Sequence, residues 1–157
     1  MGAEGEGFKI AMKTLDMSRT WVGCGAVGIA QRAIDEAVAY GKQRVTFGKP
    51  ILKNQALQFM IADMEIRVET ARQMVAHALK LMDAGLPYAR ESAIAKCYAG
   101  DIAVQNALDA IQILGGYGYS REYPVEKLLR DAKIFQIYEG TNQIQRMVIG
   151  KSVIGKF

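Results

Sequence analysis

Apolar residues in the middle of the chain recur in alternating steps of four and three. This spacing places them on one face of a helix that runs nearly parallel to its neighbours, and it predicts a helix from about Asn54 to Met82. The break at residues 84–87, Ala-Gly-Leu-Pro, ends that helix. The apolar stripe consists of Leu57, Ile61, Met64, Val68, Ala71, Val75, Ala78 and Met82.

A second long helical pattern precedes it in the chain. This helix is predicted to start near Leu15 or Ser18 and to run to about Arg44, with a loop over residues 46–50 behind it. Before it, Lys9–Met12 is predicted as a short extended lead-in, and the glycine-rich residues 1–8 as a linker or disordered segment. Its apolar stripe is formed by Val22, Ala26, Ile29, Ala33 and Ala37.

Glycine and proline divide the remainder into three further helices. A helix is predicted from about Tyr88 to Leu114, a glycine loop over 115–124 and a short helix from about Pro124 to Gln136. A turn over 137–141 and a last helix over 142–154 complete the chain. Strand-like alternation is absent from the sequence. The predicted fold is therefore all-α, an antiparallel helical bundle with an up-down four-helix core, formed by one domain over residues 9–157.

Composition narrows the class of protein. A length of 157 residues suffices for one domain with its own core. The net charge of +4 is spread along the chain, which permits a phosphate-bearing ligand and does not indicate nucleic acid. No apolar run reaches the roughly 18 residues that a membrane span needs. The first residues lack the apolar stretch of a signal peptide and the two cysteines form no CxxC pair, so we expect buried, reduced thiols and a cytoplasmic location.

Few residues carry chemistry of their own. His77 is the single histidine, so the chain cannot supply a histidine-based metal site and no metal is expected. The loops at 46–50 and 115–124 could expose N–H groups to a phosphate, although helix capping is the simpler explanation. Glu139 lies between two predicted helices, where the helix dipole favours a carboxylate. From the residues alone, a structural and a functional interpretation stay open for each of these features.

Three motifs change this picture. Residues 112–146, QILGGYGYSREYPVEKLLRDAKIFQIYEGTNQIQR, are very similar to a signature of the acyl-CoA dehydrogenases. The family patterns RxxFGKP and NQ occur at 44–50 and 54–55. Residues 7–19, GFKIAMKTLDMSR, resemble the passage from the family's middle β-domain to its carboxy-terminal helices. The motifs follow the family's order and spacing, and the resemblance covers nearly the whole chain.

The resemblance implies the carboxy-terminal helical domain of a three-domain enzyme. The chain is expected to contain only this domain, as an excised fragment, a split gene product or a deliberate truncation. In the family, an amino-terminal helical domain and a β-domain precede it. For a complete protein the resemblance implies acyl-CoA as substrate, electron-transferring flavoprotein as electron acceptor, and a cytoplasmic location, or the mitochondrial matrix in a eukaryote.

The resemblance also implies a reaction. Glu139 matches the base that removes the α-proton of the acyl thioester, while FAD takes the β-hydrogen as hydride at its N5. The backbone N–H of Glu139 matches a donor to the thioester carbonyl. Isovaleryl-type and long-chain-type members carry their base at the position of Ser18. Serine there, with glutamate at 139, indicates a straight-chain member of the short- or medium-chain type.

Candidate binding residues follow from the same match. Arg44 would lie on the FAD pyrophosphate, and residues 112–116 would run along the cofactor through their main chain. Residues 141–143 match contacts to the adenosine part of another FAD copy, so a homotetramer or dimer is implied. The FAD candidates are Arg44, Val45, Thr46, Phe47, Asn54, Gln55, Gln112, Ile113, Leu114, Gly115, Gly116, Thr141, Asn142 and Gln143. The substrate candidates are Asp16, Met17, Ser18, Arg19 and Gly140.

A second hypothesis concerns the chain by itself. In the family these helical domains form the core of a homotetramer, while the other two domains hold much of the flavin and the thioester. An isolated copy could therefore be an oligomerisation domain without activity.

Overall fold

A computed structural model of the chain describes residues 2–155, and this part contains five α-helices and one two-stranded hairpin. The hairpin is antiparallel, with Val45 opposite Pro50 and Thr46 opposite Lys49. Short 3-10 helices cover Ile51–Lys53 and Gly115–Tyr119. The elements are α1 (Gly7–Gln43), β1 (Val45–Thr46), β2 (Lys49–Pro50), α2 (Gln55–Asp83), α3 (Ala89–Leu114), α4 (Val125–Ile134) and α5 (Asn142–Ile154).

The start of the first helix differs from the prediction. Lys9–Met12 is helical rather than extended, because α1 already begins at Gly7. Gly2 and Gly5 adopt positive φ angles of 80° and 87° ahead of the helix. From residue 8 to residue 22 the sequence has neither glycine nor proline and is rich in good helix formers, so the helix extends without a break. The glycine-rich segment that precedes the helix is therefore shorter than the predicted linker over residues 1–8.

The other helix bounds lie within two residues of their predicted positions. Gly85, with φ of 66°, donates its N–H to the Met82 carbonyl and ends α2. Gly115, with φ of 62°, ends α3 in the same region of the chain where the glycine loop was predicted. The loop over 46–50 contains the hairpin strands, which the sequence did not predict because each is only two residues long.

The all-α bundle is confirmed, with α3 at its centre. Helix α3 packs against α1, α2, α4 and α5, while α1 also contacts α2 and α4. Connections of about a dozen residues or fewer join the packed long helices, so they run antiparallel. The predicted stripes are buried or half-buried in this core, which is built largely of alanine. Within residues 2–155, no helix combines the length and the apolar character that crossing a membrane requires.

Close helix packing positions the α4–α5 connection. A Cβ added at Gly100 of α3 would lie 2.9 Å from the carbonyl oxygen of Phe135, the residue that follows α4. Only glycine therefore lets α3 and the end of α4 approach this closely. The same contact brings the segment between α4 and α5 over the N-terminal half of α3.

Candidate functional site

Glu139 lies in the connection between α4 and α5 and reaches the N-terminal half of α1. Its carboxylate oxygen Oε2 accepts a hydrogen bond of 2.6 Å from the Ser18 hydroxyl, across 121 positions of sequence. The α5 cap is Thr141, whose hydroxyl accepts from the Ile144 N–H at 3.3 Å. The capping role at α5 therefore belongs to Thr141, and the Glu139 carboxylate is directed to another helix.

The backbone at Glu139 is strained. Its φ of 56° lies in the left-handed region, which costs a non-glycine residue about 1–3 kcal/mol and persists only where the surroundings impose it. Gly140 follows with φ of 85°. No group in the described part of the chain accepts a hydrogen bond from the Glu139 N–H. One residue thus presents both a carboxylate and an available N–H donor.

Two buried side chains, one from α3 and one from α5, donate hydrogen bonds to this connection. The Lys96 ammonium donates to the Gly140 carbonyl at 2.8 Å and to the Asn142 Oδ1 at 2.9 Å. The Gln145 amide donates to the carbonyls of Glu139 and Gly140 at 3.2 and 2.9 Å. Lys96 and Gln145 are both fully buried. The Gly140 carbonyl accepts from both side chains, so two hydrogen bonds restrain its position in the connection.

Lys96 and Gln145 were not predicted from the sequence as site residues. Lys96 could have been noticed, because it occupies the same helix face as Ser92, Ala99 and Ala103, at spacings of four, three and seven residues. A lysine in register with such small residues falls on a face that packs closely. Gln145 carries no comparable signal in the helix that contains it.

Burial sets the acid–base properties of Lys96. Its pKa is lowered to about 8, chiefly because burial disfavours the charged form. The nearby Cys97, Asp101 and Glu139 oppose this decrease in pKa, while Arg19 adds to it. The ammonium is therefore charged at neutral pH and titrates within reach of ordinary conditions.

The four predicted substrate residues of α1 have different surroundings. Ser18 contacts Glu139, as described, and Met17 is half-buried. Arg19 is buried and forms an ion pair of 2.6 Å with Asp16, so its guanidinium is already engaged within the helix. The carbonyl of Gly140, the fifth substrate candidate, accepts from Lys96 and Gln145.

Six of the predicted FAD residues line one cavity of about 620 Å³, here called the Arg44 groove. It lies where α1 and the hairpin meet the end of α3. The six predicted residues are Arg44, Thr46, Ile113, Leu114, Gly115 and Gly116. The residues that the sequence did not single out are Tyr40, Ile51, Tyr117, Ser120 and Glu122.

Aromatic rings form one wall of the Arg44 groove. Tyr117 lies 6.2 Å from Tyr40 and 5.7 Å from Tyr123 between ring centroids, and Tyr40 and Tyr123 are 5.6 Å apart. The Arg44 guanidinium carbon lies 5.7 Å from the centre of the Tyr117 ring. The repeated tyrosines of GGYGYSREY are the sequence signal for this wall.

The groove's donor set fits one part of a large ligand that carries phosphate and aromatic rings. A Cβ added at Gly115 or Gly116 would meet no described atom within 4 Å, so a ligand can approach that backbone. Arg44 is exposed and supplies a cation suited to phosphate. Ile113 and Leu114 line the groove although both residues are largely buried.

Five further FAD candidates lie outside the set that lines this groove. Phe47 is fully exposed at the hairpin turn, and Val45 precedes it with its side chain 55% exposed. Asn54 and Gln55 lie at the start of α2, half-buried and exposed respectively, and Gln112 is exposed on α3.

The last three FAD candidates line a separate cavity of about 460 Å³, together with residues of α3 and α4. Thr141 and Gln143 contribute to its wall, but the Asn142 side chain is engaged internally. Its amide nitrogen donates to the Cys97 carbonyl at 3.0 Å and to Asp101 at 2.8 Å, and its oxygen accepts from Lys96. One chain thus presents two groups of candidates in two cavities rather than one enclosed site.

The cysteines and acidic residues contribute no further centre. Cys97 is buried as expected, but Cys24 is exposed, because it lies on the outer face of α1. Within residues 2–155, no cluster of three or more histidine, cysteine, aspartate or glutamate side chains is arranged to hold a metal ion.

Comparison with known proteins identifies the domain. The family model described as "Acyl-CoA dehydrogenase, C-terminal domain" matches residues 5–154. The acyl-CoA dehydrogenase of Bacillus subtilis (strain 168) is 54% identical over 155 residues, which are 99% of this chain and 41% of that protein. The solved structure of butyryl-CoA dehydrogenase from Megasphaera elsdenii is 51% identical with a TM-score of 0.97, over 98% of this chain and 40% of that one.

A third similarity is to a chain in the structure of the electron transferring flavoprotein of Acidaminococcus fermentans. It is 52% identical with a TM-score of 0.97, over 99% of this chain and 41% of that one. The protein therefore belongs to the acyl-CoA dehydrogenase family of flavoprotein oxidoreductases and corresponds to its C-terminal helical domain. It spans about two fifths of the length of the relatives that it matches.

Proposed function

We propose that this chain is the part of an FAD-dependent acyl-CoA dehydrogenase that supplies the catalytic base, Glu139. The observation that carries the proposal is the junction of Glu139 with Ser18. Their hydrogen bond joins the IYEGT turn to the α1 segment that resembles the substrate-contacting stretch of the family. A half-buried carboxylate on a strained backbone, next to a free N–H, suits proton abstraction beside a carbonyl.

Glu139 has two tasks in this mechanism. Its carboxylate accepts the α-proton of the acyl thioester, and its backbone N–H donates to the thioester oxygen, where negative charge develops. The Ser18 hydroxyl holds the carboxylate in place before the thioester arrives. When bound, FAD supplies the hydride acceptor for the β-hydrogen.

The candidates for holding FAD are the residues of the Arg44 groove, with Arg44 as the phosphate partner. Residues 141–143 lie at the other cavity, so we propose that two chains contribute to each cofactor. This arrangement couples cofactor binding to self-association. It also agrees with the separation of the two cavities on a single chain.

For the complete protein we propose a straight-chain acyl-CoA of short or medium length as substrate. Serine at position 18 and glutamate at 139 support this class, as do relatives described as short-chain specific and as butyryl-CoA dehydrogenase. Electron-transferring flavoprotein is the proposed electron acceptor. The similarity to the Acidaminococcus fermentans structure supports that partner.

The test uses Glu139→Gln in a protein that carries this chain together with the other two domains. Glutamine keeps the size of the side chain but cannot accept the α-proton. We expect exchange of the substrate α-proton with deuterated solvent to fall by about 10²–10⁴-fold. Flavin absorbance should stay unchanged, which shows that the cofactor is still bound. Exchange at the wild-type rate would remove Glu139 from the mechanism.

A second candidate function is an oligomerisation domain without activity. Exposed apolar side chains on several helices favour it, among them Trp21, Phe59, Ile66 and Met147, each between 56% and 63% exposed. Flavin absorbance and light scattering of the purified chain distinguish the two functions. A colourless tetramer supports the oligomerisation domain, whereas a chain that binds FAD contradicts it.

A further inference from the structure

Lys96 is the largest side chain that the bundle buries completely. A buried ammonium is unfavourable unless it is paired or fully hydrogen-bonded, and an apolar side chain of similar size would usually be as stable or more so. Here the two oxygens that accept from its Nζ are neutral, the carbonyl of Gly140 and the side-chain oxygen of Asn142. Within the described chain, no carboxylate lies at ion-pair distance from this nitrogen. Stability of the bundle alone does not account for a lysine at this position.

The two acceptors of Lys96 lie on either side of Thr141, directly after Glu139. Gly140 is adjacent to Glu139, and its carbonyl also accepts from Gln145. The Asn142 N–H donates to the Gln136 carbonyl at 3.0 Å, which closes the connection between α4 and α5. Lys96 therefore links the central helix to two residues that closely follow Glu139 and its left-handed backbone.

We propose that Lys96 is a positioning residue for Glu139. By holding Gly140 and Asn142, it keeps the Glu139 carboxylate beside Ser18 and leaves the Glu139 N–H unpaired. Lys96 acts through the backbone and touches neither substrate nor cofactor. The inference rests on the proposed function of Glu139 for its catalytic consequence, but the effect of Lys96 on the conformation of residues 139–141 does not depend on it.

The charge of Lys96 matters less to this role than its N–H donors. The groups that act on it are Cys97 and Asp101 from α3, Arg19 from α1 and Glu139 from the connection. A neutral amine still has two N–H groups, enough for both acceptors. Raising the pH therefore weakens the two hydrogen bonds without removing them, and replacement of the side chain is the sharper test.

The first measurement is amide hydrogen exchange in the 157-residue chain. Lys96→Met keeps an unbranched side chain that is one atom shorter and removes all donors. We expect exchange at the Tyr138 and Asn142 amides, which donate to the Ile134 and Gln136 carbonyls, to accelerate by tenfold or more, with α2 amides unchanged. Lys80→Met, which replaces an exposed lysine of α2, is the matched control and should leave both regions unchanged. Wild-type exchange at the Tyr138 and Asn142 amides in Lys96→Met would overturn the proposal.

The second measurement separates positioning from general stability in the three-domain protein. Lys96→Met should lower kcat for α-proton abstraction by tenfold or more with little change in KM, and Lys96→Arg, which retains donors, should recover part of the loss. If Glu139→Gln abolishes α-proton exchange and Lys96→Met does not affect it, only the inference on Lys96 fails. If Glu139→Gln exchanges normally, the proposed function fails, and amide exchange still decides whether Lys96 holds the segment.

Should Lys96→Met not fold, Lys96→Gln takes its place. Glutamine keeps an N–H donor, but its side chain is one atom shorter than that of lysine. It should fold and show faster exchange at the Tyr138 and Asn142 amides than the wild type. A folded Lys96→Gln with wild-type protection and wild-type kcat would also overturn the proposal.

Discussion

The Glu139 connection and the Arg44 groove are built in opposite ways. Around Glu139, polar groups are buried or half-buried and hydrogen-bonded to one another, from Ser18 on α1 to Lys96 on α3 and Gln145 on α5. At the groove, Arg44 and Tyr117 are exposed, and Tyr117 lies beside Tyr40, Tyr123 and the Arg44 guanidinium. In the first region, these hydrogen bonds all join groups of a single chain. The second is an open groove at the surface of the chain.

This difference has an energetic meaning. Removing one member of a buried polar network leaves its partners without hydrogen bonds, which costs about 1–3 kcal/mol for each such group and more for a charged one. Substitution of an exposed side chain usually changes stability by less than about 0.5 kcal/mol. Mutations near Glu139 should therefore act on folding, and mutations in the groove on ligand binding.

The largest expected effect on stability separates two neighbours that both match the family's FAD contacts. Asn142→Ala leaves the buried Lys96 with one acceptor and removes the amide bonds to the Cys97 carbonyl and the Asp101 carboxylate, so the free energy of unfolding should fall by about 2–4 kcal/mol. Gln143→Ala replaces an exposed side chain and should change it by less than about 0.5 kcal/mol. Urea unfolding of both variants makes the comparison, and equal losses would contradict it.

The next effect compares two glycines, one from each region. A Cβ at Gly140 would lie 2.8 Å from the Gln145 amide nitrogen, and φ there is 85°, so Gly140→Ala should lose about 2–3 kcal/mol of stability. At Gly116 an added Cβ projects into open space, so Gly116→Ala should fold with nearly unchanged stability. Thermal unfolding measures both. A stable Gly140→Ala would show that the connection is less constrained than its hydrogen bonds indicate.

The third prediction concerns cofactor binding, and here the larger effect is expected from the Arg44 groove. Arg44→Ala should weaken FAD binding in the three-domain protein by roughly ten- to a hundredfold, the value of one charge-assisted hydrogen bond. Its effect on the unfolding of the isolated chain should stay below about 1 kcal/mol, because the contact with Tyr117 is exposed. Flavin fluorescence titration gives the affinity, and Lys49→Ala in the same hairpin is the control.

The smallest effect is a pH dependence of stability. The pKa of Lys96 is about 8 in the folded chain against an ordinary 10.5, so between these values the unfolded chain binds more protons. The free energy of unfolding should therefore rise with pH in this window, by no more than about 1.4 kcal/mol over the first pH unit. Lys96→Met should lack this rise. The raised pKa of the buried Cys97 thiol acts in the opposite direction but is present in both proteins.

Much of the fold could be predicted because its signals are local. The apolar steps of α2 and the breaks at Gly85 and Gly115 lie within a few residues of the structures that they determine. The predicted start of α1 was wrong because the helix-forming residues after the first glycines extend the helix back to Gly7. The hairpin at 45–50 was missed because two residues are too few to show alternation.

The candidate site, like the fold, could be predicted from the sequence only in part. Resemblance named Glu139 and Ser18 as positions near one thioester, and their hydrogen bond joins them in the structure. It also named six residues that line the Arg44 groove. Lys96 and Gln145 went unnoticed, because a buried lysine is recognised only when the oxygen atoms that accept from it are known. In the case of Lys96 these atoms lie 44 and 46 residues away.

The sequence by itself therefore determined an all-helical domain, the breaks between its helices and, through resemblance, the family and the candidate base. Helix periodicity and turn residues act over a few positions, so they can be recognised without a structure. Only the tertiary structure decided the left-handed backbone of Glu139, the two buried side chains that hold the Gly140 carbonyl and the division of the FAD candidates between two cavities. Burial and long-range hydrogen bonds exist only after distant helices have packed, which is why the sequence could not show these contacts.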